Sequence, residues 1–191
     1  TFGRRRLSTV GTPVAKDGRV TPPYQLAALA PPLRRVLRAF ATSHRAVGYC
    51  QAMNFIAGAL LMYCREEAAF WLLCVLTEEL NADYYTSDLV GVQVDVALLD
   101  ELASAHPSLR AAWEAIEASG FQLQLVSQQW LLLAFVGALP TETTFRVWDL
   151  LFVAGSPALL AASLALLRTL AGPLAAGGAD FERVYAQLKC V

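Results

Sequence analysis

A chain of 191 residues lies within the ~100–200 usual for one domain, and its 56% hydrophobic and 16% charged residues, against a usual charged share of about 25%, supply apolar side chains for a large core. A formal charge of −1 gives no electrostatic reason to expect nucleic acid or an anionic membrane as a partner. The apolar runs 131–139 and 153–167 fall short of the ~20 residues that span a bilayer, no basic start leads into an apolar signal, and four cysteines without CxxC spacing point to reduced thiols in a cytosolic protein.

Residues 1–30, with "GRRRLSTVGTP" and "KDGRVTPP", are polar and punctuated by Gly and Pro, and read as a loop or arm. In "PPLRRVLRAFATSH" the residues Leu33, Val36, Leu37 and Phe40 fall at i, i+3, i+4 and i+7, one face of a helix that Pro31 and Pro32 start well; Arg34, Arg35 and Arg38 face elsewhere. "EEAAFWLLCVLTEEL" (66–80) opens with acids that suit a helix N-terminus and is apolar almost all round, the pattern of a buried helix. Over 88–105 a stripe of Leu89, Val92, Val96, Leu99 and Leu102 predicts another, and Pro107 and Gly120 bracket a further one. Helices are predicted over 124–139 up to Pro140, over 143–155 up to Gly155, over 156–172 with Ser156 as N-cap, and over 180–188. No NG or DG turn joins alternating strands. The fold expected is an all-α, multi-helix bundle with no substantial sheet, one domain over 1–191.

Most chemical motifs are missing: there is no GxxxxGKS/T, HExxH or GxSxG. His44 and His106 sit at helix-end positions and read as solvent-facing termini, so no metal site is expected. Asp95, Asp100 and Glu101 read as a solvated face. "RRRLS" (4–8) is open between a solvated basic arm, an anion site and a target for a basophilic kinase. In "AVGYCQAMNFIAGALLMYC" (46–64), Gln51 stands between small residues and an apolar helix. On residue physics alone the favoured role is to satisfy backbone groups at the helix start.

The stretch "VGYCQAMNFIAGALL" resembles the signature of TBC domains, the GTPase-activating domains that act on Rab proteins, in which a Tyr-x-Gln triplet precedes a helix. "SQQWLLLAFVGALP" is similar to the family's Trp-containing helix ending in Leu-Pro, and "FRVWDLLFVAG" to its Arg-hydrophobic-Trp-Asp segment. Order and spacing agree from about residue 33 to 167. The resemblance implies the all-α TBC fold and a Rab-family GTPase in its GTP-bound state as partner, with no nucleic acid and no direct membrane insertion. It implies no enzyme activity or cofactor of the chain's own, since GTP and Mg²⁺ belong to the GTPase. The setting implied is vesicle trafficking and intracellular transport, in the cytoplasm with recruitment to membranes through the Rab.

By the same resemblance Gln51 is a catalytic finger inserted in trans, Tyr49 and Asn54 support it, and Trp130, Arg146, Trp148 and Asp149 are structural, with Arg146 and Asp149 paired at i, i+3. Ala52 departs from the family's glycine and would put a methyl group where the GTPase approaches. The family's second finger, an arginine in an Ile-x-x-Asp-x-x-Arg block, has no counterpart in these 191 residues. The expectation is that the portion carrying it is lacking and that it stands before Thr1. Arg4, Arg5 or Arg6 would substitute only if the loop carried one into the nucleotide site. The alternative is a Rab-binding module or scaffold without appreciable activation, because an arginine finger supplies about 10³–10⁵ in rate, or roughly 4–7 kcal/mol.

Overall fold

The computed structural model describes residues 28–45, 47–177 and 180–189. Most of the arm, with Arg4, Arg5 and Arg6, lies outside the described residues. Among the described residues all regular structure is helical apart from an isolated bridge between Val136 and Leu139, which is the all-α architecture that the periodicity predicts. The described chain divides between Val75 and Leu76 into two compact units.

The first unit holds α1 (Ala30–Ser43), α2 (Met53–Leu61) and α3 (Glu66–Cys74), each packed against the other two. Pro31 and Pro32 occupy the first turn of α1, where a missing N–H is no loss. Val36 and Phe40 are buried and Leu33 and Leu37 half-buried, so the predicted stripe is the packing face. Arg35 faces away from that stripe and makes a two-pronged pair with Glu66, at 2.7 Å for each prong, which ties α1 to the start of α3. Both groups are partly exposed, so the pair is worth about 0–1 kcal/mol and sets orientation more than stability. In α2, Met53, Ile56 and Leu61 are completely buried, each worth roughly 1.5–3 kcal/mol.

The second unit begins within a π-helical segment, Val75–Leu80, so the helix predicted over 66–80 is α-helical only to Cys74. A 3₁₀ turn, Ala82–Tyr85, leads to α4 (Val90–Ala105), α5 (Arg110–Ala118), α6 (Gln124–Leu132), α7 (Thr141–Ala154), α8 (Pro157–Gly177) and α9 (Phe181–Lys189). Helix α8 packs against α4, α5, α6, α7 and α9 and is the centre of this unit.

Three expectations are corrected here. The buried stripe of α4 is Val92, Val96, Leu99 and Ala103, while Leu102 is exposed and Leu89 precedes the helix in a left-handed conformation. Helix α6 stops at Leu132 instead of running to 139, because Ala134 and Phe135 both take positive φ, 44° and 66°. Helix α8 continues through Gly172 and Pro173 to Gly177, which makes 21 residues long and apolar enough by length and composition to cross a bilayer, contrary to the reading of the apolar runs. A proline inside a helix costs about 3 kcal/mol or more. Complete burial of Leu174 and a bond from Gln187 Nε2 to the Pro173 carbonyl oppose that cost.

The break after α6 is buried and two of its carbonyls are taken by side chains. Tyr85 Oη donates to the Leu132 carbonyl at 3.1 Å and Trp148 Nε1 to that of Ala134 at 2.8 Å, while that of Phe135 accepts from Ala138 N at 3.1 Å and Leu139 N at 3.2 Å. Trp148, only 2% exposed, therefore combines a large apolar contact with one obligatory hydrogen bond. Trp148→Phe should keep most of the packing but leave the Ala134 carbonyl unbonded, costing about 1–3 kcal/mol, and Trp148→Ala should cost about 3–5 kcal/mol. Urea unfolding of the two variants checks this; a Phe variant as stable as the parent would make the hydrogen bond dispensable.

Candidate functional site

The turn between α1 and α2 is built by backbone bonds. The His44 carbonyl accepts from Val47 N at 3.2 Å and from Gly48 N at 2.8 Å, which closes α1, and Gly48 takes φ +64° to redirect the chain. The Cys50 carbonyl then accepts from Met53 N at 3.0 Å, enclosing Gln51 and Ala52 in a tight turn that runs directly into α2. Next to Gln51, Ala52 and Met53 are buried, so the backbone that carries the glutamine is held from inside. No charged residue occurs between Arg45 and Arg65, which leaves a locally neutral surface.

Gln51 is exposed and has no hydrogen-bond partner among the described residues. It does not cap α2: the N-cap residue is Ala52 and no side chain bonds there, which overturns the reading of Gln51 as a satisfier of backbone groups. Ala52 has φ −64° and is 3% exposed, so the position needs no glycine and its methyl group is covered instead of presented to a partner. Tyr49, 55% exposed, projects without a ring contact or hydrogen bond among the described residues. Asn54 is half-buried, and its Oδ1 is buried without a partner among them, so the expected bond to a neighbouring loop is not made by that oxygen. Phe55, 49% exposed in an otherwise buried helix, stands four residues after Gln51. Sequence reasoning passed over it, because in a stretch this apolar no local signal marks one aromatic as exposed.

The remaining predicted residues belong to the second unit. Trp130 and Trp148 are buried, and Trp130 stacks on Phe135 with centroids 6.2 Å apart. Arg146 and Asp149 do pair, at 3.0 Å, but on the exposed face of α7, so they do not lock the helix into the core; Trp148 does that. His44 is half-buried and stacks on Phe40 with centroids 4.6 Å apart, while His106 Nδ1 accepts from Ser108 N at a helix start. Burial pushes the pKa of the Cys64 thiol, past the C-terminal end of α2, up and so away from a nucleophilic thiolate. A groove of about 760 Å³ between α7 and α8, lined by Val147, Leu150, Ala161 and Leu166, carries no titratable group and is not a reaction site.

The family described as the Rab-GTPase-TBC domain matches residues 15–174. The chain belongs to this TBC family. It is 39% identical over 137 residues to growth hormone-regulated TBC protein 1-A of Danio rerio, covering 71% of this chain and 38% of the relative. It is 36% identical over 159 residues to the GTPase-activating protein MSB4 of Saccharomyces cerevisiae, covering 71% and 32%. The crystal structure of the Chlamydomonas flagellar RabGAP TBC domain superimposes with a TM-score of 0.71 at 33% identity, over 82% of this chain and 52% of that one. The chain thus spans well under two thirds of these relatives. Within this TBC chain the Tyr49-Cys50-Gln51 triplet lies on the turn before α2, and the two tryptophan blocks form α6 and α7.

The turn depends on the backbone of Gly48 more than on space, since a Cβ there would meet nothing within 4 Å. Gly48→Ala should therefore destabilise the chain by about 1–2 kcal/mol, the cost of a left-handed L-residue, with the whole loss traceable to φ. Thermal unfolding checks this; an unshifted midpoint would mean that the turn relaxes without cost.

Proposed function

We propose that this chain stimulates GTP hydrolysis by a Rab-family small GTPase in its GTP-bound state, supplying Gln51 in trans as a finger. The observation that carries this is the exposed, unpartnered carboxamide of Gln51 on a turn fixed by buried neighbours, at the Tyr-x-Gln position of a TBC chain. The chemistry suits the residue type. The attacking water must be held in line with the γ-phosphate while charge on the phosphoryl oxygens is compensated. A glutamine amide accepts from the water and donates towards a phosphate oxygen. Ionised glutamate lacks the donor and repels phosphate, and asparagine is one methylene short. A neutral finger on a rigid turn brings an amide dipole to the phosphate without needing to be desolvated as a charge.

In this reading GTP and Mg²⁺ are held by the GTPase, and the chain has neither a cofactor nor a catalytic cycle of its own. Tyr49 and Asn54 support the finger from the sides. The chain works in the cytoplasm and meets membranes through the Rab, in vesicle trafficking. The second reading is a Rab-binding module that holds the GTPase without appreciable activation.

Single-turnover hydrolysis separates the two readings. Gln51→Ala should lower the stimulated rate ten- to a thousandfold, roughly 1.4–4 kcal/mol, leave the unfolding midpoint unchanged, and barely alter binding of the GTP-bound Rab. Gln51→Glu should be at least as damaging. An unchanged rate in a folded Ala variant would retire the glutamine finger, and binding without any stimulation by the parent chain would favour the module. Stimulation beyond about a thousandfold, the range of an arginine finger, that is lost when Arg4, Arg5 and Arg6 are replaced together would assign that role to the arm.

A further inference from the structure

Helix α4 is apolar on two sides, and the second unit uses only one of them. Val92, Val96, Leu99 and Ala103 are buried. Val90, Val94, Leu98 and Leu102, which follow one another at i, i+4 spacing and so form one row along the helix, are 49%, 58%, 38% and 39% exposed. At 1.5 Å of rise per residue the row is about 18 Å long. Single exposed apolar side chains are ordinary, whereas an unbroken row of branched aliphatic ones marks a contact surface. The row is held in place, because the first turn of α4 lies directly against the 3₁₀ turn: a Cβ on Gly91 would come within 2.8 Å of Asp83.

The charge beside the row has one sign. From Glu78 to Glu101 the sequence carries seven carboxylates and no Lys or Arg. Asp83 and Asp95 share the wall of one cavity with Val90 and Val94 at the start of the row, and the exposed Glu101 follows Leu98 by three residues near its end. The 3₁₀ turn and α6, both packed against α4, contain no Lys or Arg either. Two copies of this surface laid face to face would bring carboxylates together in either orientation, and an anionic lipid surface would be repelled. A basic occupant meets neither obstacle.

We propose that the exposed row of α4 docks an amphipathic helix of a partner protein, apolar along one stripe and lined beside it with lysine or arginine. An i, i+4 row is the ridge over which a second helix packs, and an amphipathic helix laying its apolar face on such a surface is a recurrent mode of recognition. The partner's aliphatic side chains cover Val94 and Leu98 at the centre, and its cations meet Asp83, Asp95 and Glu101 at the rim, where they set orientation and partner choice more than affinity. No part of this surface depends on Gln51 or on GTP hydrolysis.

An NMR titration of the 191-residue chain tests this with a helical peptide as long as α4, with leucine at every third or fourth position and lysine elsewhere. Saturable shifts of the Val90, Val94, Leu98 and Leu102 methyl groups are expected. The same peptide with glutamate in place of lysine should bind at least about tenfold more weakly, since like charges then face one another. Salt at about 1 M, where the screening length falls to roughly 3 Å, should remove most of that difference. A peptide of the same composition in scrambled order, without the stripe, should not saturate. Val94→Gln combined with Leu98→Gln, both at exposed positions, should abolish saturable binding at an unchanged unfolding midpoint, and Glu101→Gln, which removes charge without packing, should weaken the lysine peptide several-fold. Shifts confined to other residues, or equal binding of the striped and scrambled peptides, would overturn the site. Equal binding of the lysine and glutamate peptides would overturn the basic partner. Sedimentation of the chain alone as a dimer that the double variant dissociates would give the row to a second copy instead, and binding to phosphatidylserine vesicles that the double variant loses would give it to a lipid surface.

Discussion

Helix α6 ends inside the protein, and a helix end inside a protein must find donors for its last carbonyls. Here the chain leaves α6 through two consecutive non-glycine residues at positive φ, Ala134 and Phe135, each of which costs of order 1–3 kcal/mol. Two side chains from elsewhere in the second unit make that path tolerable: Tyr85 from the 3₁₀ turn and Trp148 from α7. The bonds run both ways in their consequences. They hold α7 at a set height and rotation, and α7 in turn packs against α8, on which the rest of this unit is assembled. Tryptophan suits position 148 because no other large apolar side chain brings a single N–H donor to a buried carbonyl.

The same rule explains which parts of the fold could be read in advance. Helices whose apolar residues recur at helical spacing, such as α1 with Val36 and Phe40, were legible because one face of local sequence decides burial. The end of α6 was not, because the side-chain donors that permit it lie 14 and 47 residues away and Ala-Phe carries no turn signal. The helix predicted over 156–172 runs on to Gly177, because buried Leu174 and the contacts of α9 continue α8 through Pro173. The pairing of Arg35 with Glu66 was likewise invisible: the spacing put Arg35 off the core face but said nothing about which helix would lie beside it.

At the candidate site, residue physics alone misread Gln51 as a residue that satisfies the helix start. A polar residue at a helix start is ordinarily a cap. In this turn the Cys50 carbonyl already closes the backbone through Met53, and the buried Ala52 takes the N-cap position, so the glutamine is left with nothing to satisfy. Ala52 shows the limit of comparing motifs letter by letter: a methyl group where the family has glycine looks like an intrusion until its negative φ and its burial put it on the inside. Asn54 lies on the same few residues of chain, but only coordinates could tell that its buried oxygen has no partner among the described residues.

The division of labour at Gln51 has an entropic side. The main chain there is immobilised by its neighbours' burial, whereas the side chain, touching no hydrogen-bond partner, keeps its rotamers open. A glutamine gives up as much as about 1.5–2 kcal/mol of torsional freedom when it is fixed. None of that is spent when this chain folds; it falls due only when a second molecule orders the amide. Folding therefore gains no hydrogen bond from the amide of residue 51. Removing the amide alone would leave little trace in the isolated chain's stability.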